Sequence, residues 1–118
     1  MLHFCFKKRT KGKFMDIFLK SASALNDETR VKLLKFINTN GQCCVCDLEN
    51  SFEMIQSRLS RHLKILKEAG FLNVKREGRW AYYSIRTPLD SFRQACIQEI
   101  MYVDMELPVL KKSCEKGE

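Results

Sequence analysis

The sequence lacks long apolar segments and is poor in helix-breaking residues and in histidine. No apolar run among its 118 residues approaches the roughly 20 that cross a bilayer, so no membrane-spanning helix is expected. Two prolines, five glycines and 45% apolar residues exclude a disordered or low-complexity chain. The length suits one ordinary domain. Neither of the two histidines lies beside the cysteine-rich segment, which argues against a thiol enzyme.

Acidic residues are outnumbered by basic ones. Twenty-one Lys and Arg against fourteen Asp and Glu give a net charge of +7. This excess favours a polyanionic partner, with nucleic acid first and an anionic membrane surface second. Residues 1–13 are predicted to form a basic N-terminal tail, either solvated or in auxiliary contact with phosphate. One domain is expected over residues 14–110, followed by a polar C-terminal tail over residues 111–118.

Six cysteines are many for a chain of this size. A secreted disulfide scaffold would explain them, but residues 1–13 carry no apolar core typical of a signal peptide. Three of the six also lie in the tetrapeptide Cys43-Cys44-Val45-Cys46, and adjacent cysteines rarely pair with each other. We therefore expect a cytoplasmic protein whose thiols stay reduced and act as ligands.

Apolar spacing predicts four helices before Gly70. The first begins at Phe14, and the second follows Asn26-Asp27, which offers a break and an N-cap, and ends in residues 38–41. A short helix over about 45–52 precedes a longer one over about 55–69, which Gly70 is placed to stop. Two helices joined by a short turn, the second of them basic, form a candidate helix-turn-helix.

The period changes after Gly70. Residues 72–76 and 80–85 are β-prone and flank Glu77-Gly78, which suits a hairpin turn. A last helix is then predicted, with Thr87 near its cap and Pro88 in its first turn. Its apolar stripe consists of Phe92, Cys96, Ile100, Val103 and Leu107. The expected fold class is mainly α with a small β-wing.

The fourth predicted helix has two distinct faces. At about 100° per residue, its apolar side gathers Ile55, Leu59, Leu63, Leu66 and Ala69. Its other side gathers Gln56, Ser57, Ser60, Arg61 and Lys64. None of these five is acidic, and their hydroxyl, amide and cationic groups can bond base edges and phosphates. The alternative is an ordinary solvated face.

Basic and aromatic residues surround the predicted hairpin. The basic ones, which would meet the adjoining DNA backbone or minor groove, are Lys75, Arg76 and Arg79. The aromatic ones, which are candidates for base stacking, are Trp80, Tyr82 and Tyr83. Core packing is favoured for Tyr83 and Ile85. His62 is predicted to be a half-buried, satisfied histidine and not a ligand.

These motifs together resemble a known family over about Phe14 to Leu107. Ser57-Arg58-Leu59-Ser60-Arg61-His62-Leu63, Ala69-Gly70-Phe71-Leu72 and Arg76-Glu77-Gly78-Arg79 resemble the winged helix of the ArsR/SmtB metalloregulatory repressors. Leu25-Asn26-Asp27-Glu28-Thr29-Arg30 is similar to the start of that family's second helix. One departure is Ile55, where the family usually places a capping Ser. The resemblance implies a winged helix-turn-helix homodimer joined by the last-helix stripe, with help from residues 14–25, that reads an inverted repeat in double-stranded operator DNA.

The segment Cys43-Cys44-Val45-Cys46-Asp47-Leu48 resembles the Cys-Val-Cys-Asp-Leu box of the arsenic-responsive branch. Three neighbouring thiols suit a soft, thiophilic ion, and trivalent arsenic or antimony accepts three thiolates. The family often places its third cysteine where this chain has Glu49, so Cys43 is the preferred replacement. Cys96 or Cys114 are the alternatives. The predicted ligands, which we call the cysteine box, are Cys43, Cys44 and Cys46.

Helical geometry at the box predicts a mechanism. On an ideal helix Cys44 and Cys46 point about 200° apart, so one ion holding both must unwind the start of the third helix. Because that helix positions the fourth, ligation is expected to loosen the DNA-binding unit, with a typical coupling of about 1–3 kcal/mol. The expected function is a repressor of an arsenic-resistance operon, released from its operator by As(III) or Sb(III).

Two other mechanisms remain open. A repressor responsive to cadmium, lead or zinc would use Cys5 as an additional ligand to complete a tetrahedral thiolate site. A redox-switched repressor would depend on a thiol whose pKa is lowered by basic surroundings. The family's other zinc site is not expected on the last helix, which has Asp104 and Glu106 but no histidine.

Overall fold

The computed structural model describes residues 12–112, which form five helices and three short strands. In chain order these are α1 (Lys13–Ala24), α2 (Glu28–Asn40), β1 (Cys43–Cys44), α3 (Val45–Phe52), α4 (Gln56–Glu68), β2 (Leu72–Glu77), β3 (Trp80–Ile85) and α5 (Ser91–Tyr102). The predicted class, mainly α with a small β-wing, is confirmed. None of the described helices is long and apolar enough to span a membrane. Residues 1–11 and 113–118, with most of both predicted tails, lie outside the described residues.

Local signals set the ends of the central helices as predicted. Asp27 is the N-cap of α2, and its side chain accepts a hydrogen bond from the Arg30 backbone N–H at 3.0 Å. Gly41 ends α2, and Gly70 follows α4 with φ +90°, a left-handed conformation that favours glycine. Both ends of α2 and the end of α4 therefore follow from residues at those ends.

One apolar cluster fills the space between the helices and the sheet. Fully buried members include Leu33, Leu34, Phe36, Leu48, Leu59, Leu63, Leu66 and Phe71. The Phe36 and Phe52 rings meet edge to face, with centroids 5.1 Å apart. Tyr83 is buried in the same cluster and Ile85 packs against it, which confirms core packing for both. The buried sides of α3 and α4 thus belong to one core.

The strands form an antiparallel sheet in the order β1-β3-β2. β2 and β3 pair from Leu72 opposite Ile85 to Glu77 opposite Trp80. The hairpin turn lies at residues 78–79, one position later than predicted, because Glu77 is still paired in the sheet. β1, which was not predicted from the sequence, adds Cys43 opposite Tyr83 and Cys44 opposite Tyr82.

The last helix begins later than predicted. Asp90 is its N-cap, and the Asp90 carboxylate accepts a hydrogen bond from the Arg93 backbone N–H at 3.3 Å. Thr87 and Pro88 consequently lie in the bend before α5, so their predicted places at the cap and in the first turn are wrong.

The last helix also ends earlier than predicted. α5 stops at Tyr102, and Val103 has extended backbone angles, φ −74° and ψ 127°. The predicted stripe is therefore wrong as a continuous helical surface, because Val103 and Leu107 lie beyond the helix. The buried residues of α5 are Ile97 and Ile100.

Residues 103–112, which we call the C-terminal strap, run back across α2 and α3. Lys35 Nζ donates a hydrogen bond to the Val103 carbonyl at 2.6 Å. At the other end, the Lys111 backbone N–H donates to Ser51 Oγ at 2.7 Å. Met105 and Leu110 pack against the core cluster between these anchors. The strap thus fixes the end of the described chain beside α3.

Candidate nucleic-acid interface and cysteine site

α4, which we call the recognition helix, turns one face to the core and the other to solvent. Leu59, Leu63 and Leu66 are fully buried, as predicted, and Ala69 is buried at its end. Ile55 is 72% exposed, so its predicted place on the buried face is wrong. The reason is that Ile55 is the N-cap, with extended angles of φ −67° and ψ 150°, and does not follow the helical spacing.

The outward face of the recognition helix carries the predicted polar set. Gln56, Ser57, Arg61 and Lys64 are exposed, and Ser60 is partly exposed. Arg58 is also exposed on the same helix. It was not among the predicted DNA contacts, although a basic residue directly after the predicted contact Ser57 could have indicated one. The arrangement offers hydroxyl, amide and guanidinium donors to a groove and its flanking phosphates.

The β2–β3 hairpin, which we call the wing, adds three exposed cations near its tip. Lys75, Arg76 and Arg79 are all exposed, with Lys75 Nζ 3.1 Å from Glu77 Oε2. Tyr82 and Tyr83 are buried, 8% and 7% exposed, so interpreting them as base-stacking residues is wrong. Trp80, which is partly exposed, is the one of the three aromatics that retains an accessible surface.

His62 is held by a network of residues from α2 and its cap, which could not be foreseen from the sequence. Arg30 Nη1 donates to His62 Nδ1 at 3.2 Å, and Asp27 Oδ2 lies 3.9 Å from the same nitrogen. Burial lowers the pKa of His62, an effect that the nearby arginines Arg30, Arg58 and Arg61 reinforce and Asp27 opposes. His62 is therefore the satisfied, half-buried histidine that was predicted.

The cysteine box spans the junction of β1 and α3. Cys43 and Cys44 are strand residues with free thiols, both 2% exposed. Cys46 lies in the first turn of α3 and is disulfide-bonded, so the expectation that the thiols stay reduced is wrong for this residue. The predicted bounds of this helix, 45–52, are confirmed. Cys44 has extended angles as the N-cap, so the ideal-helix angle assumed between Cys44 and Cys46 is wrong. In a strand, successive side chains point to opposite faces of the sheet, which separates Cys43 from Cys44.

The cysteines of the described residues are not arranged as a finished metal site. Within residues 12–112, no three His, Cys, Asp or Glu side chains are grouped so as to hold an ion. Cys43 Sγ lies 3.2 Å from the Gly41 carbonyl, to which it donates, and burial raises its pKa to about 11. Burial also raises the pKa of Cys96 on α5. Cys5 and Cys114 lie outside the described residues.

The chain matches known proteins along most of its length. Residues 27–74 match the family described as "Bacterial regulatory protein, arsR family". The arsenic resistance transcriptional regulator ArsR1 of Pseudomonas putida is 33% identical over 80% of this chain and 75% of its own length. The arsenical resistance operon repressor of Bacillus subtilis is 37% identical over 64% of this chain and 72% of its own. A cadmium resistance regulatory protein CadC homolog of Staphylococcus aureus is 38% identical over 67% of this chain and 64% of its own.

Solved structures share the fold. Reduced HlyU from Vibrio cholerae superposes with a TM-score of 0.63 at 24% identity, covering 78% of this chain and 95% of that one. The homodimeric winged helix-turn-helix domain Mb0332 of Mycobacterium bovis gives a TM-score of 0.66 at 21% identity, covering 82% and 86%. Together with the sequence relatives, these likenesses show that the chain belongs to the ArsR family of bacterial regulatory proteins and is a winged helix-turn-helix, DNA-binding transcriptional repressor.

Proposed function

We propose that this repressor is a homodimer that occupies an inverted-repeat operator of an arsenic-resistance operon and leaves it when thiolates bind As(III) or Sb(III). The observation that carries the proposal is the position of the cysteine box between the wing and the helix-turn-helix. Cys44 pairs with Tyr82 in the wing, and Cys46 begins the helix that leads into the recognition helix. The arsenic-resistance regulators among the relatives support this choice of inducer.

The DNA-binding surface combines the recognition helix with the wing. The five predicted polar residues of the helix face a major groove, while Lys75, Arg76 and Arg79 reach the adjoining backbone or minor groove. Because phosphate contacts contribute much of the affinity, binding should weaken steeply as salt is raised. No enzymatic activity is proposed.

The dimer interface is assigned to the apolar surface that α1 and α5 leave exposed. Phe18 is 53% exposed and Phe92 39% exposed, and their rings lie 5.5 Å apart across the two helices. Exposed apolar clusters of this kind mark interaction surfaces, and a second copy of the chain suits the two-fold symmetry of an inverted repeat. Cys96 is partly buried beside this surface, whereas Ile100 belongs mainly to the core of the subunit. The homodimeric Mb0332 domain, which has the same fold, supports a homodimer.

Ligand binding acts through the strand as well as the helix. Cys46 is available to an ion only after its disulfide is reduced. Cys44 and Cys46 then approach one ion only if β1 or the first turn of α3 moves, since Cys44 is held in register with Tyr82. That movement strains the β1–β3 pairing on one side. On the other side it disturbs α3, whose Leu48 shares the core with Leu59 and Leu63 of the recognition helix. Ligand binding thus shifts both the wing and the recognition helix away from the positions in which they bind DNA.

The third thiolate is assigned to Cys114 ahead of Cys43, Cys96 and Cys5. Cys43 lies on the strand face that joins the core cluster and donates to Gly41. The C-terminal strap, anchored at Ser51, brings Lys112 close enough for its charge to act on Cys43. Cys114 lies outside the described residues, two positions after Lys112, so chain geometry allows a separation of at most about 7 Å between them.

A cadmium-, lead- or zinc-responsive repressor is the second candidate function. It is favoured by the CadC homolog of Staphylococcus aureus at 38% identity, and it would use Cys5 as an additional ligand. Oxidation is the third candidate trigger, and the disulfide at Cys46 favours it. The raised pKa values of Cys43 and Cys96 disfavour the reactive thiolate forms of those two residues.

The experiment that tests the proposal is release of fluorescent operator DNA from the full chain, reduced beforehand so that the Cys46 thiol is free. The titrants are arsenite, antimonite, phenylarsine oxide, cadmium, lead, zinc and peroxide. Each is added to the wild type and to six variants, in each of which one cysteine is replaced by serine. Arsenite should release the operator DNA from the wild-type protein. The Cys46→Ser variant should bind the operator, and arsenite should not release it. Cys114→Ser should lose the arsenite response yet keep the response to phenylarsine oxide, which needs only two thiolates. Release by cadmium or peroxide and not by arsenite would contradict the proposed inducer.

A further inference from the structure

Arg93, in the first turn of α5, links the cap of its own helix to two other parts of the chain. Its side chain is 16% exposed, and each guanidinium nitrogen has an acceptor. Nε donates to the Ala69 carbonyl at 2.8 Å, Nη1 to Asp90 Oδ1 at 2.7 Å and Nη2 to Ser21 Oγ at 2.6 Å. A guanidinium held in three directions is fixed by the fold and is not available to reach phosphate.

The contact with Ala69 places Arg93 at the carboxyl end of the recognition helix. Ala69 is the C-cap, and its carbonyl is among those that have no partner within the helix. Arg93 satisfies this carbonyl and puts a positive charge at the negative end of the helix dipole. The approach is close: a Cβ on Gly70 would lie 2.7 Å from Arg93 Nε. The Arg93 guanidinium carbon also lies 5.7 Å from the centroid of the Phe71 ring.

The contact with Ser21 brings α1 into the same network. Ser21 is 1% exposed, and its hydroxyl lies 3.3 Å from the Ala69 carbonyl as well as accepting from Arg93. The end of the recognition helix is therefore tied both to α1 and to α5. These are the two helices whose exposed apolar surfaces we assign to the dimer interface.

We propose that Arg93 is a positioning residue that fixes the recognition helix relative to the dimer interface, and thereby sets which half-site spacing the dimer reads. This inference rests on the proposed homodimer. A dimer reads two half-sites through two recognition helices, so their separation must match the helical repeat of DNA. A rigid link between each recognition helix and the interface narrows the range of half-site spacings that the dimer binds well, and a loose link widens that range.

The test compares Arg93→Met with Arg86→Met, two variants that each remove one positive charge. Arg86 has an exposed side chain just before α5 and serves as the matched control. Affinity is measured for an operator selected from random duplex DNA and for the same operator lengthened by one base pair between half-sites. Arg93→Met should bind the selected operator about tenfold more weakly, within the usual range for coupling between two sites, and discriminate less between the spacings. Its salt dependence should match the wild type, because Arg93 touches no phosphate. Arg86→Met should keep the wild-type spacing preference.

A folded, dimeric Arg93→Met protein with the wild-type spacing preference would overturn the proposal. So would a drop of about one in its salt slope, because that would place Arg93 on a phosphate. If Arg93→Met does not fold, Ser21→Ala removes one acceptor from the network and should weaken the spacing preference in the same way; an unchanged preference overturns the proposal. Failure of the wild type to dimerise on any inverted repeat would instead contradict the proposed function.

Discussion

Arg30 and His62 join the second helix to the recognition helix through one hydrogen bond, from Arg30 Nη1 to His62 Nδ1 at 3.2 Å. The same guanidinium donates through Nε to the Ala24 carbonyl at 2.7 Å, at the end of α1. Because Nδ1 accepts, the bond requires the neutral imidazole with its proton on Nε2. The link therefore depends on pH.

We predict that acid weakens the folded protein through His62. The pKa of His62 is lowered from its ordinary value of 6.5, chiefly by burial, so in mild acid the unfolded chain binds more protons than the folded one. The stabilisation is complete above pH 6.5 and is lost as the pH falls below it towards the folded pKa. Chemical unfolding between pH 7.5 and pH 5.5 should show a smaller loss in His62→Gln than in the wild type.

His3→Gln is the control for this titration, because His3 is the other histidine and lies outside the described residues. Its unfolding free energy should fall with acid as much as that of the wild type. Equal pH profiles for His62→Gln and the wild type would show that His62 does not carry the effect.

Arg61→Met should weaken operator binding and change its salt dependence. Arg61 is exposed on the outward face of the recognition helix, and removing one phosphate contact lowers the magnitude of the salt slope by about 0.9. Lys32→Met, on α2, removes the same charge from a residue paired with Glu28 at 3.0 Å and should leave the slope unchanged. Fluorescence anisotropy over a series of salt concentrations measures both. If the two variants have the same salt slope, Arg61 does not contact the DNA phosphate backbone.

Leu59→Ala and Ile55→Ala should differ sharply in stability. Leu59 is fully buried, and truncating a buried leucine costs about 2–5 kcal/mol of unfolding free energy. Ile55 is 72% exposed, and surface changes are usually within about 0.5 kcal/mol. Urea unfolding of the two variants checks the pair. A large drop in the stability of Ile55→Ala would mean that the sequence-based assignment of Ile55 to the buried face was right after all.

Much of the fold could be predicted because its signals are local. Asp27 caps α2 through its own neighbour Arg30, and Gly70 ends the recognition helix by its backbone freedom alone. The buried and outward faces of the recognition helix follow from the helical period, which needs no knowledge of the partner surfaces. The burial of Ile55 was predicted wrongly because Ile55 is the N-cap, where the helical period no longer applies.

What could not be predicted depends on residues far apart in the chain. Cys43 and Cys44 form a strand because they pair with Tyr83 and Tyr82. The residues next to the two cysteines in the sequence carry no signal that predicts this pairing. The early end of α5 accompanies the bond from Lys35 on α2 to the Val103 carbonyl, between residues far apart in the chain. Arg93 was missed for the same reason, since its acceptors on Ser21 and Ala69 come from two other helices.

The central claim is that thiolate ligation and operator binding oppose each other, and reciprocity makes this directly measurable. Two ligands coupled through one protein must change each other's affinity by the same factor. The decisive measurement is therefore the arsenite affinity of the full chain, with and without saturating operator DNA. We predict weaker arsenite binding when the operator is bound, by the same factor as arsenite weakens operator binding. Equal arsenite affinities in the two conditions would contradict the account.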